Sequence, residues 1–168
     1  MTETTPENSL IQQLIEEANN GDLDAQSDLG GRYAQGRGVA RDDNQAAKWF
    51  RLAAEQGNAV AQLMIGQMYY EGKGLPQDFA EALKWFRKAA DQGHAEDQKR
   101  IGLMYVEGQG VTQDYSEAVK WYQKAADQGM PAAECDIGTM YFRGMGVTQI
   151  QTDLKMAKRK FTVLSQET

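Results

Sequence analysis

The chain has 168 residues, of which 41% are hydrophobic and 25% are charged, and its formal net charge is −6. That length suits one domain or a short repeat array, and the composition is that of a folded globular protein. The acidic balance argues against duplex nucleic acid as a partner, because such a protein needs a basic surface to neutralise phosphates. A single cysteine, Cys135, and a single histidine, His94, exclude an intramolecular disulfide and most metal sites.

The sequence also bears on the membrane and on cellular location. No apolar run approaches the roughly 20 residues that a membrane-spanning helix needs. Residues 1–8 are polar and acidic, without the basic and apolar regions of a signal peptide. We therefore expect no membrane insertion. The sequence as given predicts a cytoplasmic protein, or a periplasmic or secreted one if an export signal has been removed.

Glycine recurs in this chain with a period of 36 residues. Of the 17 glycines, only Gly31 lies outside four series with that period. A fixed period between about 20 and 50 residues is the mark of a repeat array. A tyrosine and a tryptophan series have the same period. The recurring residues are Gly21, Gly57, Gly93 and Gly129; Gly30, Gly66, Gly102 and Gly138; Gly36, Gly72, Gly108 and Gly144; Gly38, Gly74, Gly110 and Gly146; Tyr33, Tyr69, Tyr105 and Tyr141; and Trp49, Trp85 and Trp121.

The array is predicted to begin with a single capping helix. Leu10 and Leu14 lie 36 residues before Ala46 and Phe50, two apolar positions of a second-type helix. Residues 1–20 are therefore assigned to an N-terminal cap. The four repeats that follow, together one continuous solenoid domain, are predicted at 21–56, 57–92, 93–128 and 129–164.

Each repeat is predicted to contain two helices, and repeat 2 shows why. Its first helix covers residues 58–71, where apolar side chains recur at helical spacing. Gly66 lies on the flank of that helix. A glycine inside a helix costs about 1 kcal/mol relative to alanine, so its recurrence in every repeat indicates that another helix approaches closely there.

The second helix of repeat 2 is predicted to start after Asp78. Asp78 and Glu81 have the spacing of a capping box, and Gly93 stands where a helix often ends in the left-handed conformation. Leu75 lies in the turn between the two helices. We expect its side chain to fill the joint between them.

The fourth repeat departs from the pattern after Val147. A three-residue insertion restores it and places Asp153 and Phe161 at the positions of Asp114 and Tyr122. The sequence therefore predicts a C-terminal helix, whose basic residues around Lys158 form a solvated outer face.

The pattern of repeat 1 is Leu29-Gly30-x-x-Tyr33-x-x-Gly36-x-Gly38-Val39, followed by Asp42, Ala46, Trp49-Phe50 and Ala53-Ala54-x-x-Gly57. This pattern resembles the Sel1-like repeat, a relative of the tetratricopeptide repeat, over residues 21–149 and less clearly over 150–164. The resemblance implies an all-α fold, a right-handed superhelical solenoid of 36-residue helix–turn–helix repeats. It also implies an adaptor or binding platform without chemistry of its own.

Unlike the cysteine-rich branch of that family, whose repeats look to be bridged by disulfides, this chain has no cysteine pair. Its stability must therefore come from packing. The three tryptophans occupy fixed places on the apolar side of the second helix, so we expect them in the core rather than in a ligand site.

In arrays of this type the first helices line the concave face, so residues that vary there are candidates for partner binding. We call these predicted binding residues the first-helix stripe. They are Val60, Leu63, Gln67 and Tyr70 in repeat 2; Lys99, Arg100, Leu103 and Val106 in repeat 3; and Thr139, Phe142 and Arg143 in repeat 4. At the same positions repeat 1 has only small and polar residues, Asp24, Ser27, Gly31 and Ala34.

The apolar members of the stripe are expected to form one strip with Lys99, Arg100 and Arg143 beside it. An exposed apolar strip usually marks a partner site, and aromatic and arginine side chains dominate binding energy. An extended peptide or a short helix with an acidic end would suit this surface. The alternative is that several of these residues pack between neighbouring first helices.

These features predict a protein–protein interaction adaptor or scaffold that needs no cofactor. We expect a monomer, with weak self-association left open. Two alternatives remain at this point: an inhibitor or immunity-type protein that binds and blocks a toxin or enzyme, and, less favoured, a homo-oligomeric structural protein.

An enzyme is not expected, because no spacing singles out a catalytic pair. The carboxylates Asp28, Glu71, Glu107 and Asp136 could approach one another, but a solvated acidic rim explains them equally well. The recurring Gly-x-Gly follows no strand, so it indicates a turn rather than a phosphate site. His94 is expected in a turn at a repeat junction, and Cys135 as a small half-buried side chain.

Overall fold

The computed structural model describes residues 6–146, and all the regular secondary structure in that range is helical. The all-α prediction is therefore confirmed for this part of the chain. The chain divides after Asp97 into two compact units, with α1–α5 in the first unit and α7 and α8 in the second. The helices are α1 (Pro6–Asn19), α2 (Leu23–Gln35), α3 (Asp43–Glu55), α4 (Ala59–Glu71), α5 (Phe79–Ala90), α6 (Ala95–Glu107), α7 (Tyr115–Asp127) and α8 (Pro131–Phe142).

The second helix of each of repeats 1 to 3 begins at an aspartate cap, as predicted. The Asp42 carboxylate accepts hydrogen bonds from the backbone N–H groups of Asn44 and Gln45, at 2.9 and 3.0 Å. Asp78 accepts the corresponding pair at the start of α5, and Asp114 accepts one such bond at the start of α7. These bonds satisfy N–H groups that have no partner inside the helix.

The first helices have less uniform caps. Asp22 and Asn58 each accept a hydrogen bond of 2.8 Å from the backbone N–H three residues later. His94 occupies that position before α6, which confirms its predicted place at a repeat junction. Met130 caps α8 without a side-chain hydrogen bond, and proline follows it as the first helical residue.

In repeats 1 to 3, the recurring glycine inside the first helix lies under an aromatic ring of the second helix, whereas a Cβ added to Gly138 in α8 would meet no atom within 4 Å. A Cβ atom added to Gly30 or Gly66 would come within 2.8 Å of the ring of Phe50 or Phe86. In the second unit, a Cβ on Gly102 would come within 2.6 Å of the ring of Tyr122 in the same way. The close helix approach predicted from Gly66 is therefore confirmed.

The turn of repeat 2 joins that repeat to the one before it. Leu75 packs against a core cluster that includes Ala47 and Phe50 of α3. Gly74 has a left-handed φ of 65°, and a Cβ there would overlap the backbone carbonyl oxygen of Asp43. Leu75 therefore contacts the second helix of repeat 1 as well as its own repeat. Trp49, Trp85 and Trp121 are buried, which confirms their predicted core position.

A buried glutamine in each of α2, α4 and α6 pairs with an exposed glutamine after the following helix, and the sequence pattern did not reveal this hydrogen-bonded relay. Gln26 donates to the carbonyl oxygen of Ala18 at the end of α1, at 3.1 Å. Gln56, just after α3, donates to the side-chain oxygen of Gln26 at 2.7 Å. Both bonds recur 36 residues on, at Gln62, Ala54 and Gln92, and the outer bond recurs in the second unit at Gln98 and Gln128.

Cys135 is exposed, so its predicted half-buried position is wrong. The buried face of α8 is formed by Ala133, Ile137 and Met140, and Cys135 lies on the opposite side of the helix. The predicted C-terminal helix, with its insertion and the basic residues around Lys158, lies outside the described residues. The boundaries of the cap and the four repeats stay predictions. No helix within residues 6–146 is long and apolar enough to span a bilayer.

Candidate functional site

A groove of about 530 Å³ lies between α2 and α4 in the first unit. We call it the α2–α4 groove. Such a volume is within the range of sites that take small molecules or the side chains of a bound segment. Its lining residues are Asp24, Ser27, Asp28, Gly31, Arg32, Ala34, Gln35, Arg37, Phe50, Asn58, Val60 and Met64.

The small residues of repeat 1 are what leave this groove open. Gly31 is inside α2, yet a Cβ built there would meet no atom within 4 Å. No neighbouring helix therefore requires a glycine at this position, in contrast to Gly30. Ala34, one turn further along α2, packs against the core cluster that contains Phe50. The missing side-chain volume at both positions widens the groove over the ring of Phe50.

The two ends of the groove carry opposite charges. Asp24 is exposed in the first turn of α2, and Arg37 is exposed just past the end of that helix. Neither makes an ion pair with any residue from 6 to 146. Between them, Arg32 Nε and Asp28 Oδ2 form an ion pair of 3.0 Å on the surface of the same helix. Asp24 and Arg37 are therefore available to charged groups on a bound molecule.

In the first unit, Val60 is the most exposed of the predicted stripe residues, and Leu63 and Gln67 are half-buried. Gln67 donates a hydrogen bond to the Glu71 carboxylate one turn later. Val60 also lines the α2–α4 groove. The stripe therefore meets the groove at Val60.

Tyr70, another predicted stripe residue, is half-buried against the second helix of its own repeat. Its ring meets that of Phe79 edge-on, with 5.1 Å between the ring centroids, and lies 6.5 Å from that of Phe86. Packing between first helices was one predicted role of this residue, and its ring packs on the second helix of its own repeat, which commits part of the ring to that repeat. Partner contact through the remaining surface of Tyr70 stays a prediction.

In the second unit, the α6 members of the stripe are unequally exposed. Lys99 is half-buried and its Nζ lies 3.8 Å from Asp136 Oδ2. Arg100 and Val106 are also half-buried, whereas Leu103 is exposed. Leu103 is therefore the apolar stripe residue of α6 with the most surface to offer a partner.

The stripe residues at α8 are all exposed. Thr139 donates a hydrogen bond of 3.0 Å to the backbone carbonyl of Cys135, and the charged Arg143 follows the helix. Phe142 has an exposed fraction of 89%. Among the residues that the structure describes, it is the large hydrophobic side chain with the greatest exposure.

Ion pairs occupy three of the four carboxylates that were considered as a catalytic group. Asp28 pairs with Arg32, Glu71 with Lys73 at 2.5 Å, and Asp136 with Lys99. Within residues 6–146, no group of three histidine, cysteine or acidic side chains is placed to hold a metal ion.

One pKa shift reports on the packing of the second unit. Burial raises the pKa of the Tyr122 phenol well above its ordinary range, and the nearby charges of Asp136 and Glu107 raise it further. The phenol is therefore neutral at physiological pH, consistent with its role as a packing residue over Gly102.

The protein-family model of the Sel1 repeat matches residues 23–58, 59–94, 95–130 and 131–159 of the sequence. The chain belongs to the Sel1 repeat family. Sel1 repeat proteins are generally protein–protein interaction scaffolds and are typically non-enzymatic. The family resemblance predicted from the sequence is thereby confirmed. No curated protein matches the chain.

Solved structures of Sel1 repeat proteins resemble this one. The protein c5321, a protective antigen present in uropathogenic Escherichia coli strains, is 46% identical over 80% of this chain and 29% of its own, with a TM-score of 0.77. A Sel1 repeat protein from Oxalobacter formigenes is 38% identical over 83% of this chain and 60% of its own, with a TM-score of 0.73. This chain therefore spans less than two thirds of either relative.

Helicobacter pylori cysteine rich protein B shares the fold at lower identity. It is 20% identical over 79% of this chain and 97% of its own, with a TM-score of 0.58. The Sel1 repeats described here, which contain no pair of cysteines, thus adopt the same kind of helical array as a cysteine-rich protein.

Proposed function

We propose that this Sel1 repeat protein is a non-catalytic adaptor that holds a segment of a protein partner along its first-helix stripe. The observation that carries the proposal is where its exposed apolar side chains lie. Within residues 6–146 the large exposed hydrophobics are Leu10, Leu52, Val60, Leu103 and Phe142. Three of them, Val60, Leu103 and Phe142, are stripe residues of three successive repeats.

This placement differs from a scatter of surface hydrophobics, which is normal in soluble proteins. The apolar residues that hold each repeat together are buried, whereas Val60 and Leu103 have exposed fractions of 53% and 42%. Exposed apolar area that recurs on one helix type supports binding of another protein. The ion pairs of the candidate carboxylates support the absence of catalysis.

The proposal is tested by affinity capture with charged substitutions on the stripe. The bait carries Val60→Asp and Leu103→Asp, which place a charge on an exposed apolar stripe residue in each of the two units. The matched control is Leu52→Asp, because Leu52 is also an exposed leucine, at 37%, but belongs to a second helix. Circular dichroism melting checks that wild type, Leu52→Asp and the double variant are all folded.

We expect wild type and Leu52→Asp to retain the same protein from a lysate of the source organism, and the double variant to lose it. Binding of the purified partner should weaken at least about 30-fold, as for residues that dominate an interface. If all three baits retain the partner equally, the first-helix stripe is not its binding site. An activity assay of that partner with and without this chain then separates an adaptor from an inhibitor.

A further inference from the structure

We infer that the α2–α4 groove is an anchor site for an aromatic side chain of the partner, in a segment that carries an acidic residue toward Arg37. This inference rests on the proposed function and names the chemistry of the bound segment. It follows from a difference between the first two repeats, both of which lie in the first unit.

Repeat 2 fills the space over its second helix with its own rings. Phe86 lies against Gly66, and the ring of Tyr70 covers it from the first helix at 6.5 Å between centroids. Phe79 completes the group through its edge-on contact with Tyr70 at 5.1 Å. Three aromatic side chains from α4 and α5 therefore pack together in this repeat.

Repeat 1 keeps only one of those three rings. Phe50 lies against Gly30 as Phe86 lies against Gly66. The positions 36 residues before Tyr70 and Phe79 are occupied by Ala34 and Asp43, which have no ring. The space that Tyr70 fills in repeat 2 is therefore open in repeat 1, and Phe50 and Ala34 both line it.

A second position enlarges the same space. Gly31 stands 36 residues before Gln67, and it is the one glycine outside the recurring series. A Cβ there would meet nothing within 4 Å, so packing does not explain this glycine. Glycine is unfavourable inside a helix. Gly31 therefore leaves room beside Ala34 for a side chain that comes from another molecule.

The chemistry of the walls selects the occupant. Val60 and Met64 offer apolar surface, and Phe50, with an exposed fraction of 3%, also lines the groove. A ring placed where repeat 2 has Tyr70 would restore the aromatic contact that repeat 2 makes internally. Methionine adds a favourable contact with aromatic rings. An aromatic side chain therefore fits this groove better than an aliphatic one of the same size.

The charges at the two ends set the flanking residues. α2 has 13 residues, which corresponds to about 20 Å or roughly six residues of an extended segment. Arg37 at one end favours an acidic residue of the segment, and Asp24 at the other favours a basic one. Because Asp28 and Arg32 neutralise each other at 3.0 Å, the middle of the segment needs no charge.

A displayed library of random 12-residue peptides, selected on the full chain, tests this inference. We expect the enriched peptides to share an aromatic residue with an acidic residue close to it. Synthetic copies are then measured by fluorescence polarisation against wild type and variants, each checked by circular dichroism melting.

Ala34→Tyr supplies from the chain the ring that repeat 2 has, and Gly31→Gln supplies the repeat 2 side chain at the neighbouring position. Each should weaken peptide binding at least about 30-fold, the size expected for a lost interface anchor. Ala34→Ser, which keeps the groove open, is the matched control and should bind like wild type. Arg37→Glu should weaken binding about fivefold and only for peptides with the acidic residue.

Enriched peptides without an aromatic residue, or with unchanged affinity for Ala34→Tyr and Gly31→Gln, would overturn the anchor. If such peptides lose affinity for Leu103→Asp instead, the proposed function stands and only the anchor fails. If no peptide is enriched, the proposed function fails with it.

A second copy of the chain is the other occupant to be tested, by light scattering over a range of concentrations. We expect wild type and Ala34→Tyr to have the same mass at every concentration. A dimer of wild type that Ala34→Tyr abolishes would assign the groove to self-association and overturn the inference.

Discussion

Repeats 1 and 2 share one framework and differ on the face that the framework presents. Both place a phenylalanine over a helical glycine, bury a tryptophan and start the second helix at an aspartate cap. They differ at Ala34 and Tyr70, where one repeat leaves a groove and the other fills it. The two repeats show that the face a repeat presents can change while the contacts that hold the repeat together stay the same.

The largest expected effect is on the shared framework. Phe50→Ala and Phe86→Ala should each lower the free energy of unfolding by about 3–5 kcal/mol, because each leaves a cavity in the core. Phe86→Ala should cost more by about 0.5–1.5 kcal/mol, since the ring of Tyr70 lies 6.5 Å from that of Phe86, whereas repeat 1 has Ala34 at the position of Tyr70. Urea unfolding followed by circular dichroism measures both.

The exposed Phe142→Ala is the control for that pair and should stay within about 0.5 kcal/mol of wild type. If Phe50→Ala and Phe86→Ala lower the free energy of unfolding equally, the predicted difference in stability between the two repeats is wrong.

Alanine substitutions at the adjacent Gly30 and Gly31 should change the free energy of unfolding by smaller amounts and in opposite directions. Gly30→Ala forces a Cβ to within 2.8 Å of the Phe50 ring and should destabilise the chain by about 1–2 kcal/mol. Gly31→Ala meets no atom within 4 Å and should stabilise it by up to about 1 kcal/mol through helix propensity.

Thermal melting of the two variants side by side checks this prediction, and each serves as the control of the other. Destabilisation by Gly31→Ala would mean that the groove is closed by contacts the structure does not show. A neutral Gly30→Ala would mean that Phe50 moves aside freely.

The smallest effect concerns a charge pair found in repeat 1 and not in repeat 2. Arg41 donates two hydrogen bonds to the Asp43 carboxylate, at 3.2 and 3.1 Å, and thereby lowers the pKa of that carboxyl below its ordinary value. In repeat 2 these positions hold Gln77 and Phe79. Because the folded pKa is lowered, the pair stabilises the fold above the unfolded pKa, and this contribution is lost as the pH falls.

Arg41→Gln should therefore raise the pKa of Asp43 toward its ordinary value, as measured by a carbon-13 NMR titration of the carboxyl group. Arg37→Gln removes a nearby arginine that makes no ion pair with the described residues, and it should leave the titration unchanged. The same Asp43 pKa in wild type and Arg41→Gln would show that the pair does not persist in solution.

The framework was predictable from the sequence because it is periodic. Gly66, Asp78 and Trp85 recur every 36 residues, and each has one physical role that a helical pattern reveals. Non-periodic residues carry no such signal. Gly31 was recognised as the exception among the glycines, but its meaning depends on what its Cβ would meet, which only coordinates supply.

The candidate site was less predictable for the same reason. Val60 and Leu103 were chosen from helical spacing and are exposed, whereas Tyr70, chosen in the same way, packs on Phe79 and Phe86. Spacing along one helix cannot show which ring of the next helix lies opposite. The α2–α4 groove was missed because it arises from small residues, which sequence patterns treat as uninformative.

The glutamine relay has a consequence for how arrays of this kind change in length. Gln26 joins α1 to repeat 1 through Ala18 and Gln56, and Gln62 joins repeat 1 to repeat 2 through Ala54 and Gln92. A gene duplication or deletion of 36 codons therefore copies or removes donors and acceptors together. Duplication of a partial repeat that separates Gln62 from Ala54 or Gln92 would leave a buried amide without its partner, so whole repeats are the units in which such a protein can grow.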